Sequence, residues 1–180
     1  MRFNICLAAL AATTAFASPA FAQVVAPVAT DTATAEARGL VLQPLTLTKV
    51  EDLDFGTVLA SNVAGTVTIN ADDGGRTFTG GVTLVASNPG GRAVFAGAGT
   101  EDQEVFLTLT PPSQNLLVST TNTADTILIS SMVFDTSNST TRIIGVGGTF
   151  DVGVGGTFDI AASQPNGFYK ADFDVVADYQ

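Results

Sequence analysis

Chemistry in this chain would have to come from carboxylates and other oxygen groups, because histidine is absent and the single cysteine is Cys6. That leaves no Ser-His-Asp triad, no thiol nucleophile beyond residue 6 and no zinc site of the usual ligand sets. Two carboxylate pairs have types suited to general acid and base, Asp52 with Asp54 and Asp151 with Asp159. Nothing near them suggests a sugar platform: tryptophan is absent, and Tyr169 and Tyr179 are the only tyrosines. Asp72-Asp73-Gly74-Gly75, with Asn70, offers hard oxygens of the kind calcium binds. It lacks the alternating ligand spacing and distal glutamate of a dedicated calcium loop, and a plain β-turn accounts for the same residues. Asn138-Ser139-Thr140 matches a glycosylation sequon, a short pattern common in polar turns. The expectation is a chain with no catalytic residues, no cofactor and no metal.

The elements that would position any site are strands. Thr, Val, Ile and Phe alternate in short runs bounded by Gly, Pro, Asn and Asp, and helical periodicity is nowhere sustained. The pattern predicts strands at 40–50, 66–70, 77–86, 92–96, 104–110, 115–121, 126–134, 141–146, 149–154, 157–161 and 167–179. Turn chemistry at Asp72 to Gly75, Asn88-Pro89-Gly90-Gly91 and Gln164-Pro165-Asn166-Gly167 predicts reversals and antiparallel pairing. This many short strands in one domain predicts an all-β fold, an antiparallel β-sandwich in preference to a barrel. Gly147-Gly148-Thr149-Phe150-Asp151-Val152 recurs eight residues later as Gly155-Gly156-Thr157-Phe158-Asp159-Ile160. Two copies do not make a repeat architecture; they read as two similar strands, Phe inward and Asp outward, joined around 153–156.

The N-terminus reads as an export signal. Arg2 precedes an apolar stretch from Phe3 to Phe16, and Ala20-Phe21-Ala22 has the small-x-small form of a cleavage site, placing the cut between Ala22 and Gln23. That stretch is shorter than the roughly 20 apolar residues a membrane-spanning helix needs, and no later segment qualifies. Domain boundaries follow at 1–22 for the signal, 23–39 for an N-terminal extension and 40–180 for the β domain. The expected location is the periplasm, the cell surface or the extracellular space. Beyond residue 22 lie 17 acidic and six basic side chains, a formal net charge of −11, so nucleic acid and anionic membranes are poor partners. With no cysteine there either, stability has to come from packing and pairing, or from association with other subunits.

Both ends of that exported chain have strand patterns that could be shared between copies. From residue 30 the extension alternates, with Ala33, Ala35 and Ala37 on one side and Thr32, Thr34, Glu36 and Arg38 on the other. Small residues on one face suit a strand laid into a narrow groove. At the C-terminus Phe173, Val175, Ala177 and Tyr179 share one face, and Asp172, Asp174 and Asp178 the other. A terminal strand presents one free backbone edge to whatever lies beside it.

Several stretches together resemble a family of secreted proteobacterial proteins, domain of unknown function 4402. They are the Ala/Thr-rich start, Pro44-Leu45-Thr46-Leu47-Thr48 followed by Leu53-Asp54-Phe55-Gly56-Thr57-Val58, Gly148-Thr149-Phe150-Asp151-Val152-Gly153, and Gln164 to Tyr169 leading into Asp178-Tyr179-Gln180. The ending is also similar to that of spore coat U-type subunits of chaperone-usher pili. The resemblance implies an immunoglobulin-like sandwich lacking one strand, held by a periplasmic chaperone, passed to an outer-membrane usher and completed by the extension of a like subunit. Phe173, Val175 and Tyr179 would then line the groove edge, and Ala33, Ala35 and Ala37 would lie in a neighbour's groove. The chain departs from many pilins in having no internal disulfide and no large aliphatic donor residues. The reading is a non-catalytic structural subunit of a surface fimbria or adhesive polymer. Its rival is a self-contained β-sandwich that binds carbohydrate or protein through its loops.

Overall fold

The computed structural model describes residues 31–180, and the proposed cleavage point at Ala22 and Gln23 lies outside them. Two units separate at Gly39. In the first, residues 31–39 are exposed and form no strand, although their alternation predicts one. A strand of alternating Ala and Thr buries almost nothing until a second strand pairs with it. Glu36 accepts a hydrogen bond from the Arg38 guanidinium (2.5 Å), which raises the arginine's pKa above its ordinary value.

The second unit, Leu40–Gln180, contains β1 (Thr46–Glu51), β2 (Val58–Leu59), β3 (Gly65–Ile69), β4 (Arg76–Gly80), β5 (Thr83–Leu84), β6 (Ala93–Ala98) and β7 (Glu104–Thr110). It continues with β8 (Leu116–Ser119), β9 (Thr126–Phe134), β10 (Thr141–Ile143), β11 (Thr149–Ile160), β12 (Tyr169–Lys170) and β13 (Asp174–Tyr179). Every pairing is antiparallel. The large sheet runs β1-β6-β11-β9-β8-β12, with β3 and β4 branching from β11; a second sheet runs β10-β7-β13, and β2 with β5 forms a small ribbon. The result is the all-β sandwich that the alternation predicts.

The apparent repeat is one strand. β11 runs without a turn through Gly153, Gly155 and Gly156, and the eight-residue offset, an even number, places Phe150 and Phe158 on the same inner face. One flank of β11 pairs with β6 over Thr149–Val154 and then with β3 over Gly156–Ile160. The other pairs with β9. The glycines permit this crowding: a Cβ on Gly155 would collide with the backbone of Ile69 and Ala71, and one on Gly153 with the Ala71 carbonyl and the Arg92 guanidinium.

β11 also joins two apolar clusters. Phe150, Val152 and Val154 pack with Ala93, Phe95, Val105 and Leu107 between the two sheets. Phe158 and Ile160 pack with Val67, Val82, Ile127 and Ile129, and Phe55 meets Phe158 edge to face. Predicted strand 40–50 shortens to β1, 77–86 divides at the Gly80 turn into β4 and β5, and 167–179 divides into β12 and β13.

Gly155→Ala is expected to destabilise the domain by about 1–3 kcal/mol, as overpacking against backbone does. Gly91→Ala, where a Cβ meets nothing within 4 Å, should change stability little. Urea unfolding monitored by tyrosine fluorescence checks both.

Candidate functional site

Neither carboxylate pair is assembled as an acid and base. Asp151 and Asp159 are eight residues apart on one strand, about 26 Å at the usual rise. Asp52 pairs with Lys49 (2.6 Å), and Asp54 accepts the Gly56 N–H (2.7 Å) while its backbone bridges Gly91. In the 70–75 turn one side-chain oxygen each of Asn70, Asp72 and Asp73 serves a backbone donor. Asn70 Oδ1 accepts Asp72 N–H (2.7 Å), Asp73 Oδ1 accepts Gly75 N–H (2.7 Å), and Asp72 Oδ1 accepts Thr136 N–H (2.6 Å). Among the described residues no three acidic side chains cluster as a metal site would require. Asn138 of the sequon sits in a turn where Thr136, Ser137 and Asn138 all have positive φ, of 54°, 58° and 61°. Its Oδ1 accepts the Phe134 N–H (3.0 Å), and the half-buried Asp135–Arg142 ion pair closes the turn.

What the strands bring together instead is a seam at the C-terminal strand. β13 pairs only with β7, from Asp174 opposite Thr110 to Tyr179 opposite Val105, and lies at the end of its sheet. β1 lies at the end of the other sheet, and the two strands are neighbours. Gln180 N–H donates to the Glu104 carbonyl (3.1 Å), so residues 174, 176, 178 and 180 direct their backbone toward β7. By the two-residue alternation, Phe173, Val175, Ala177 and Tyr179 direct theirs to the free edge.

The side chains of those same four residues are half-buried against the first apolar cluster, whereas Asp172, Asp174 and Asp178 are exposed. Phe173 meets Phe95 edge to face at 6.1 Å and 76°. Tyr179 closes one end of the seam. Its hydroxyl accepts the Thr100 N–H (2.7 Å) and donates to the Gln43 carbonyl (2.9 Å), and Gln43 N–H returns to Thr100 Oγ1 (2.7 Å). Gly99 has to be glycine here, since a Cβ would strike the tyrosine hydroxyl. The face on which Phe173, Val175 and Tyr179 lie was legible in the sequence; their hydrogen-bond partners Gln43 and Thr100 carried no sequence signal. Ala33, Ala35 and Ala37 are exposed and paired to nothing among the described residues.

A further structural element escapes the sequence pattern altogether, a cleft of about 570 Å³ between β7 and β9. So does the role of Arg76, whose guanidinium donates to the carbonyls of Phe55, Thr57, Asn88 and Val85 at 2.9–3.3 Å and so fixes the loops around β2 and β5.

The described fold and seam define an antiparallel β-sandwich with an exposed, half-covered edge. The family model described as a domain of unknown function (DUF4402) matches residues 45–179, and the chain belongs to that family. No curated protein and no solved structure matches it.

Tyr179→Phe removes both bonds of the hydroxyl without removing the ring, and is expected to cost about 1–3 kcal/mol. Amide exchange at Thr100 should accelerate while exchange in β11 changes only by the global loss of stability. Calorimetry with excess calcium and with chelator should give the same melting temperature, because Asp72 and Asp73 are not joined by a third acidic side chain among the described residues.

Proposed function

We propose that the chain is a non-catalytic structural subunit of a surface fimbria or similar adhesive polymer, assembled by donor-strand complementation. The observation that carries this reading is the free edge of β13, where four residues turn backbone groups outward beside side chains that remain only half-covered. An added strand would satisfy those groups and bury that apolar surface together, which is the physical basis of β-augmentation. The donor in this reading is the extension, residues 23–39, of a like subunit. In this reading Ala33, Ala35 and Ala37 face the seam, beside the partly buried Leu45, Leu47 and Phe173, because small side chains suit a narrow groove. Before assembly the edge is held by a periplasmic chaperone, and an outer-membrane usher exports the subunit. The similarity of the chain's ending to spore coat U-type pilins and the signal-like segment 1–22 support the same route. The sandwich is then immunoglobulin-like with its last strand supplied by a neighbour.

Deleting residues 23–39 is expected to leave a folded monomer that no longer polymerises. Adding the 23–39 peptide should raise its melting temperature in a concentration-dependent way, as binding to the native state requires. Polymerisation that survives the deletion would remove the donor-strand reading. A full chain that stays monomeric at high concentration and ignores the peptide would favour the self-contained binding module. A Val175→Asp exchange tests the edge directly: it should abolish the peptide's effect, with circular dichroism reporting whether the fold survives.

A further inference from the structure

We propose that Asn166-Gly167 is a modification site: in the folded chain it converts spontaneously, through a cyclic imide, to aspartate and isoaspartate, and the second product loosens the β8–β12 end of the large sheet. The reaction joins an Asn or Asp side chain to the backbone nitrogen of the next residue, and both groups have to be free to meet. Glycine in the second place serves best, because it has no side chain to hinder attack and gives the backbone its widest choice of conformations. The chain contains two such pairs, Asp73-Gly74 and Asn166-Gly167.

The fold locks the first pair and leaves the second free. Gly74 N–H donates to the Asn70 carbonyl (2.9 Å), and Asp73 Oδ1 accepts the Gly75 N–H (2.7 Å), so each reacting group has another partner. Asn166 and Gly167 are exposed and lie in neither strand nor helix. Neither the Asn166 carboxamide nor the Gly167 N–H has a hydrogen-bond partner among the described residues. The carboxamides of Asn70, Asn88, Asn122 and Asn138 are all engaged. Asn62 and Asn115 are followed by Val63 and Leu116, whose side chains obstruct the approach.

Water is the only co-reactant. The Gly167 nitrogen gives up its proton to solvent and attacks Asn166 Cγ; the N–Cγ bond forms, the bond from Cγ to the amide nitrogen breaks, and ammonia leaves with a proton from water. Water then opens the five-membered ring at either carbonyl, and nothing is oxidised or reduced. Opening at Cγ restores the peptide bond and leaves an aspartate side chain. Opening at the main-chain carbonyl leaves the chain running through Cβ and Cγ. Both products carry a carboxylate, ionised at neutral pH, where Asn166 has none.

The chain is tethered on both sides of this bond. The Pro165 carbonyl accepts the Tyr169 hydroxyl (2.7 Å), and the Phe168 carbonyl accepts the Thr120 N–H (2.9 Å). The isoaspartyl link adds one carbon, about 1.5 Å of path, between the tethers. The Pro165 tether is braced by Gln164 Nε2, which donates to the Tyr169 hydroxyl and to the Thr126 carbonyl (3.0 Å each). The Thr120–Phe168 bond therefore gives way, beside a β12 that pairs through only Tyr169 and Lys170.

The test ages the purified full chain at neutral and mildly alkaline pH, beside a urea-unfolded sample, and maps aspartate and isoaspartate by peptide mass spectrometry. Native protein should convert at Asn166 first, faster at the higher pH and within several-fold of the unfolded rate, whereas isoaspartate at position 73 should form only in urea. Gly167→Ala, whose Cβ would meet the rotatable Ser119 hydroxyl at 3.2 Å, should slow conversion several-fold. Asn166→Gln, whose longer side chain cannot close the five-membered ring, should abolish it. Amide exchange at Thr120 should accelerate several-fold in the isoaspartyl form and stay unchanged in aged Asn166→Gln and in fresh Asn166→Asp, which adds the charge without the extra carbon. Conversion of Asn166 only in urea, conversion of native protein at another site first, or an equal rate in Gly167→Ala overturns the proposal. So does Thr120 exchange that Asn166→Asp speeds as much as the isoaspartyl link does.

Discussion

The structure depends on β11 being shared by three strands: one flank pairs with β6 over Thr149–Val154 and with β3 over Gly156–Ile160, and the other with β9 over Val154–Asp159. Twelve residues serve as the common neighbour of β6, β3 and β9, and their inner face supplies Phe150, Val152 and Val154 to one apolar cluster and Phe158 and Ile160 to the other. Glycine makes this arrangement possible where the chain at Ile69 and Ala71 crosses close over the strand. A side chain at Gly155 would push apart the crossing segment and the hairpin of β3 and β4 that leads into it. The two clusters would then lose their shared wall.

Around that spine the polar residues act mostly as clamps on backbone. Arg76 gathers four carbonyls, Arg92 binds the carbonyls of Ala71 and Asp72, and Arg142 with Asp135 closes the left-handed turn. A chain without cysteine after residue 6 thus secures its loops with guanidinium groups. Three of its few cations are committed to internal carbonyls, which sharpens the acidic character of the surface that remains.

The fold class was legible because period-two alternation and turn residues act locally, and the boundaries of β7 and β9 follow directly from them. The doubled Gly-Gly-Thr-Phe-Asp motif misled for a physical reason: glycine marks turns, but it also marks places where another backbone presses on a strand, and sequence alone does not separate the two. The inner face of β13 was readable from Phe173, Val175, Ala177 and Tyr179. The triangle of Tyr179, Thr100 and Gln43 was not, since it joins residues 136 positions apart at its longest span. The cleft between β7 and β9 was hidden for a related reason, because it is made by where neighbouring strands stop. The alternation of 32–39 remains a strand pattern without a strand, as a segment that buries nothing alone must be.

The Tyr179 hydroxyl has a mechanical consequence. By holding Gln43 next to the last residues of β13, it places the beginning and end of the β domain at one pole of the sandwich. Tension applied between those two points would pass through the tyrosine bridge and the seam beside it, and the body of the domain would hang to one side of the line of pull.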